Sequence, residues 1–170
     1  AAEVGGWGHL PAICHTMCVR GQARCSTACG TLCAVILKWE SDGTKGFIAD
    51  LSVFQRTNQV VDPEPYDCEP DGTWYSMVTV GGLIVAVEPN HGEIDLIHTD
   101  GRIRRIADIS ASQGHIVPAA LAFDGVNFYV GNLGTFPNVD GSRGILQITP
   151  NGKRGPFAPG VSTHPGRALH

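Results

Sequence analysis

Gly92-Glu93-Ile94-Asp95-Leu96-Ile97-His98-Thr99-Asp100-Gly101-Arg102-Ile103-Arg104-Arg105-Ile106-Ala107-Asp108-Ile109-Ser110 reads as two apolar-alternating runs divided by Asp100-Gly101. Alternation with period two marks a strand, and Asp-Gly supplies the positive φ that a type I′ turn demands, so the stretch predicts a hairpin. The arrangement recurs on both sides. Upstream, a run through Trp39 ends on Asp42-Gly43 and is followed by a second run closing on Ile48-Ala49-Asp50-Leu51-Ser52. That phrase repeats Ile106-Ala107-Asp108-Ile109-Ser110 at a distance of 58 positions. Downstream, Gly144-Ile145-Leu146-Gln147-Ile148 leads to Asn151-Gly152, after which Lys153 opens another short run.

Two more strands fall between successive hairpins. Residues 74–80 and 83–88 flank Gly81-Gly82, and residues 117–123 and 126–131 flank Asp124-Gly125. The unit is therefore four strands, a to d, recurring every ~50–60 residues, which is the period range of radial repeats. The excess length falls in 53–72, joining d to the next a, and in 132–142, joining b to c. A sandwich also uses short strands, but it would not restart on the same Ile-Ala-Asp-x-Ser phrase. The predicted fold class is all-β, a partial β-propeller of about two complete four-stranded antiparallel blades plus part of a third. Residues 33–160 hold the blades, 1–32 form a cysteine-rich segment that does not match them, and 161–170 form a tail. Both ends read as truncated, divergent or wrongly translated.

Composition agrees with many short strands and tight turns: 22 glycines, 11 prolines and only 16% charged residues in 170. The net charge is −4, and the twelve Lys and Arg form no basic stripe, which argues against nucleic acid as a partner. Arg102, Arg104 and Arg105 read as one face of an exposed strand. No apolar run is long enough to span a membrane. Ala1 is not followed by a charged-then-apolar leader, which leaves a removed leader and an internal piece as alternatives.

The phrases Glu69-Pro70-Asp71-Gly72-Thr73-Trp74-Tyr75-Ser76-Met77, Val87-Glu88-Pro89-Asn90-His91-Gly92, Gly114-His115-Ile116-Val117-Pro118 and Tyr129-Val130-Gly131-Asn132-Leu133-Gly134 resemble the secreted bacterial β-propellers of the ScyD/ScyE type. That family is similar in blade plan to NHL-repeat and SMP-30/gluconolactonase-like propellers. The resemblance covers about residues 35–155. It implies a six-bladed ring, a secreted or periplasmic location and, for most members, no established reaction. Family blades open strand a with an Asn-Pro-x-Gly-like phrase, where this chain has Thr73-Trp74-Tyr75-Ser76 and Ile116-Val117-Pro118-Ala119.

Cys14, Cys18, Cys25, Cys29 and Cys33 are spaced C-x3-C-x6-C-x3-C-x3-C, with His9 and His15 nearby. Zinc sites use such short spacings, yet no pair-of-pairs with an intervening loop is present and five ligands exceed four. Disulfides suit an exported protein. A helix would place Cys25, Cys29 and Cys33 on one face as small apolar residues. All three readings stay open, and Cys68 stands alone.

In a propeller the a–b and c–d turns emerge on one side of the ring, and the d–a and b–c connections on the other. The first set here is tight and glycine-closed. The second is long and polar, and long polar loops on a rigid scaffold are where binding sites collect. The candidate ligand-binding residues are accordingly Glu69, Asp71, Tyr75, Glu88, Asn90, His91, His115 and Asn132. Carboxylate and amide oxygens of Glu88, Asn90 and Asn132 would suit a Ca²⁺ ion, and the resemblance to SMP-30-like propellers implies an axial metal used for hydrolysis. The alternative reading makes Glu88 and His91 turn residues and Asn132 a residue poised before Gly134. Trp74 and Tyr75 point opposite ways, one a core anchor and the other a channel ring. His115 could act as a general base near neutral pH, but no Gly-x-Ser-x-Gly accompanies it.

These observations predict part of an exported propeller that binds a small molecule or a protein, with a Ca²⁺-dependent hydrolase or lactonase as the alternative. Two to three blades leave sheet edges and inner faces uncovered. The expected partners are therefore the remaining blades or another copy of the chain, and the segment alone is expected to aggregate or be unstable.

Overall fold

A computed structural model of the protein describes residues 11–15, 34–39, 42–63, 74–134 and 143–159. Its elements are β1 Pro11–His15, β2 Ala34–Trp39, β3 Lys45–Asp50, α1 Leu51–Thr57, β4 Ser76–Val80, β5 Leu83–Glu88, β6 Glu93–Ile97, β7 Ile103–Asp108, α2 Ser110–Gln113, β8 Pro118–Phe123, β9 Phe128–Asn132, β10 Gly144–Ile148 and β11 Arg154–Pro159. They form three antiparallel meanders: a three-stranded sheet β1-β2-β3, then β4-β5-β6-β7, then β8-β9-β10-β11. The chain is thus mostly β and is built from a repeated antiparallel sheet. The two complete sheets and one incomplete sheet follow the expected division.

The second sheet is packed between the other two. Ile84, Ala86 and Ile97 join Ala34, Ile36, Ile48 and Ala49 of the first sheet in one core cluster around Trp74. Val85, Val87, Ile94 and Ile106 join Phe128, Val130, Leu146 and Ile148 of the third sheet in another. Successive side chains of a strand point to opposite faces, so β5 buries Ile84 and Ala86 on one side and Val85 and Val87 on the other. This explains the unbroken apolar run Leu83-Ile84-Val85-Ala86-Val87: a strand covered on both faces has no use for alternation.

The three sheets share an irregularity. The pairing of the last two strands shifts register between Ile36 and Leu37 in the first sheet, between Ile94 and Asp95 in the second, and between Ile145 and Leu146 in the third. The bulged residues are Ile48, Ile106 and Phe157, each followed by alanine, at Ala49, Ala107 and Ala158. The repeated Ile-Ala-Asp phrase thereby acquires a structural meaning. Ile bulges, and Asp caps the helix beyond it, Asp50 Oδ1 accepting from Val53 N at 2.8 Å and Asp108 Oδ1 from Ala111 N at 3.1 Å. The serine then ties the helix to its surroundings: Ser52 Oγ accepts from Ala34 N at 2.6 Å, and Ser110 Oγ accepts from Asp62 N at 3.2 Å.

Each sheet also clasps the one before it. A Cβ built on Gly101, in the β6–β7 turn, would lie 2.7 Å from the carbonyl oxygen of Ile48 in the first sheet. One built on Gly152, in the β10–β11 turn, would come closer still to the carbonyl oxygen of Ile106 in the second. The same turn therefore sits on the same bulge at both interfaces, and only glycine leaves room for it.

The structure corrects four expectations. β1 lies in the segment expected to carry no strand, and pairs with β2 from Pro11↔Lys38 to His15↔Ala34. α1 and α2 occupy positions expected to be strand end and loop. Among the described residues only glycines have positive φ, so Asp42, Asp100 and Asn151 do not make type I′ turns. Gly101 N donates to His98 O, and His98 N donates to Arg102 O, giving a three-residue loop with the glycine left-handed; residues 149–153 repeat it. Gly81-Gly82, with φ of 57° and 80°, is the type I′ turn. Finally, Arg105 is not on an exposed face, as described next.

Candidate functional site

Strand a starts, strand b ends and strand c starts at the same end of each sheet. The fold therefore gathers Tyr75, Glu88, Asn90 and His91 of the second sheet at one end of the stack, with His115 and Asn132 of the third at that same end. Glu69 and Asp71 lie outside the described residues, as do Cys18, Cys25, Cys29, Cys33 and Cys68. Trp74 is the core anchor, fully buried, whereas Tyr75 is 62% exposed.

Glu88 leads into a group that sequence reasoning did not collect. Glu88 pairs directly with Glu93 across β5–β6, and Ala86 with Asp95. Positions 88, 93 and 95 fall on the face turned to the first sheet, and all three carboxylates are fully buried there. Glu88 Oε2 accepts from His91 N at 2.5 Å and stands 3.4 Å from His91 Nδ1. Trp74 Nε1 donates to Asp95 Oδ2 at 3.1 Å. Arg105 Nε donates to Glu93 Oε2. The remaining guanidinium nitrogens of Arg105 donate to the carbonyl oxygens of Asn58 and Gln59, and its plane lies 5.6 Å from the Phe54 ring. Arg105 thus joins the second sheet to the segment that follows α1.

One guanidinium does not neutralise this group. Burial, followed by the charge of Asp95, pushes the Glu93 carboxyl up to about 9 against the pull of Arg105. Burial likewise pushes Asp95 up to about 7, opposed by Arg105 and by the Trp74 hydrogen bond. Here loss of water outweighs the ion pair. Glu93 is therefore protonated at neutral pH, and Asp95 titrates close to it. Glu93 Oε1 and Asp95 Oδ1 have no hydrogen-bond partner among the described residues, nor does either amide atom of the buried Gln55. Unsatisfied buried oxygens of this kind are costly to the fold.

The repeat supplies an internal control. Aligned on the shared bulge, the positions of Glu93, Asp95 and Arg105 are held by Val35, Leu37 and Phe47 in the first sheet and by Gly144, Leu146 and Pro156 in the third. The fold is built twice without charge at these places. Acids and arginine are confined to the middle sheet.

The other expected residues have different employment. Asn132 Oδ1 accepts from Val117 N and Gly134 N, both at 3.0 Å, and so closes the loop after β9. His115 is half-buried before β8. Among the described residues, no three or more His, Cys, Asp or Glu side chains are grouped so as to hold a metal ion. No helix among them is long and apolar enough to cross a membrane. The signal that could have found the group was two acids inside the apolar run Glu93-Ile94-Asp95-Leu96-Ile97. Period-two alternation disguised them as an exposed face.

Comparison with known proteins finds no match among family models, curated proteins or solved structures.

Proposed function

We propose that the three sheets are successive blades of an exported β-propeller of the ScyD/ScyE type, and that the chain is a binding module. Its site is the end of the second sheet where Tyr75, Asn90 and His91 form the rim above Glu88, Glu93 and Asp95. The single observation that carries this reading is the restriction of the charged group to one of three equivalent positions. A scaffold that needs no charge there has one charged copy. Carboxyls whose ionisation is opposed by burial and by one another favour a cation, since a positive group nearby stabilises their charged forms. The ligand class is therefore an organic cation or a basic segment of a partner protein.

The test is thermal stability of the full chain titrated with a simple amine, spermidine, at pH 6 and pH 8. Stabilisation that is larger at pH 8, and absent in Glu93→Gln and in Asp95→Asn, is the expected result. Equal stabilisation of the wild type and both variants would remove the site from the proposal.

A second reading, the Ca²⁺-dependent hydrolase or lactonase, is favoured by one observation. Asp95 titrates close to neutrality, as a general acid or base must. It requires calcium-dependent hydrolysis of a lactone panel that Asp95→Asn abolishes. Binding is preferred because Asn132, one of the three expected calcium ligands, already spends its amide oxygen on two backbone N–H groups.

A further inference from the structure

The clasp between neighbouring sheets is used twice, and both of its halves are left over at the ends of the stack. Gly43 is the first sheet's counterpart of Gly101 and Gly152, and a Cβ built there would meet nothing within 4 Å among the described residues. Phe157 is the third sheet's counterpart of the bulged Ile48 and Ile106, and it is 56% exposed. The bulged residue faces the following sheet at both internal interfaces, so Phe157 faces away from the second sheet. Phe47 occupies the position of Arg105, which faces the preceding sheet, so Phe47 looks out from the other end; it too is 56% exposed. Beside Phe157 lies Tyr129, edge-on with ring centroids 4.8 Å apart. One terminus of the stack thus presents a turn and an aromatic without a bulge to sit on. The other presents a bulge and an aromatic without a turn.

We infer that these two ends dock onto each other between copies of this chain, the first sheet of one copy seating on the third sheet of the next. The occupant of each terminal face is a second copy of this chain. The interface repeats the internal one, with the Gly43 turn on the Phe157 backbone and Phe47 packed toward the face bearing Ile145 and Tyr129. Such a contact is heterologous, joining two different surfaces, and it generates a ring where the rotation closes and a filament where it does not. The inference rests on the stacked-sheet part of the reading above and is independent of the cationic ligand.

A heterologous contact makes a demand that a two-fold contact does not. Phe47→Asp spoils one end and Phe157→Asp the other, so each variant alone lacks a complete interface. Mixed one to one, the intact third sheet of the first variant meets the intact first sheet of the second. Sedimentation velocity of the full chain is expected to show association of the wild type, monomers for each variant, and about a twofold mass for the mixture. Circular dichroism melts of both variants check that they fold, and Phe47→Ser with Phe157→Ser provides a milder pair under the same test. A wild type that stays monomeric at high micromolar concentration would show that other blades, or solvent, cover these faces, and would overturn the inference. Loss of association in both variants without recovery on mixing would overturn it equally. Either failure leaves the spermidine titration unaffected, so the two readings fall separately.

Discussion

Asp95 lies fully buried between Trp74 and Arg105, and its titration makes stability depend on pH in a direction opposite to that of most carboxylates. Its folded value, about 7, lies above the ordinary 3.8, so the folded chain keeps a proton that the unfolded chain gives up. The stability from this group is fully present below the unfolded value and is lost as pH rises through about 7; Glu93 extends the loss toward about 9. Unfolding free energy is expected to fall by up to about 1.4 kcal/mol per pH unit while one such proton is released. Asp95→Asn keeps an acceptor for Trp74 and cannot ionise. Urea unfolding at pH 6, 7 and 8 is expected to show a steep decline for the wild type and a flatter one for this variant. A wild type equally stable at all three values would contradict the burial account. Little of this was legible in the sequence. Glu88 and His91 were visible as polar residues in a turn, but Glu93, Asp95 and Arg105 sit in an alternating strand, and alternation alone does not reveal a second sheet over the polar face.

Turns and bulges are the elements that the sequence displayed most openly, because glycine at φ near +80° is a chemical requirement and not a preference. The dividing points at Gly43, Gly82, Gly101 and Gly152 are all real turns. The repeated Ile-Ala-Asp-x-Ser phrase was visible too, but its meaning was not: it encodes a bulge and a helix cap, and the short helices that follow break the all-strand expectation. β1 was missed because Pro11-Ala12-Ile13-Cys14-His15 has no alternation and stands among cysteines. Glycines that look alike in sequence have different surroundings, which gives a sharp prediction. Gly43→Ala and Gly101→Ala both place a side chain at positive φ, at a cost of about 1–2 kcal/mol. Gly101→Ala adds a clash with the Ile48 carbonyl that Gly43→Ala lacks. Denaturant melts of the chain are expected to find Gly101→Ala at least twice as destabilising, and Gly152→Ala similar to it. Equal losses at positions 43 and 101 would mean that the turns do not clasp the neighbouring sheets.

For the molecule as a whole, stability is expected to be graded from the middle outward. β5 and β6 are covered on both faces, while the first and third sheets have one face each in the core clusters. Amide exchange is expected to be slowest at Ile84 to Val87 and at Ile94, and faster by more than tenfold in β3 and β11. Uniform protection across the three sheets would show that the outer faces are covered as well. The order of the strands was readable from local spacing. The order of burial was not, since it depends on which sheet has neighbours.

The turn that rests on the preceding bulge is a contact of backbone on backbone, glycine against a carbonyl oxygen. It asks almost nothing of side-chain identity. A duplicated unit can therefore exchange most of its face residues and still seat on its neighbour. That freedom allows one copy to swap hydrocarbon for acid and become specialised while its siblings go on holding up the wall.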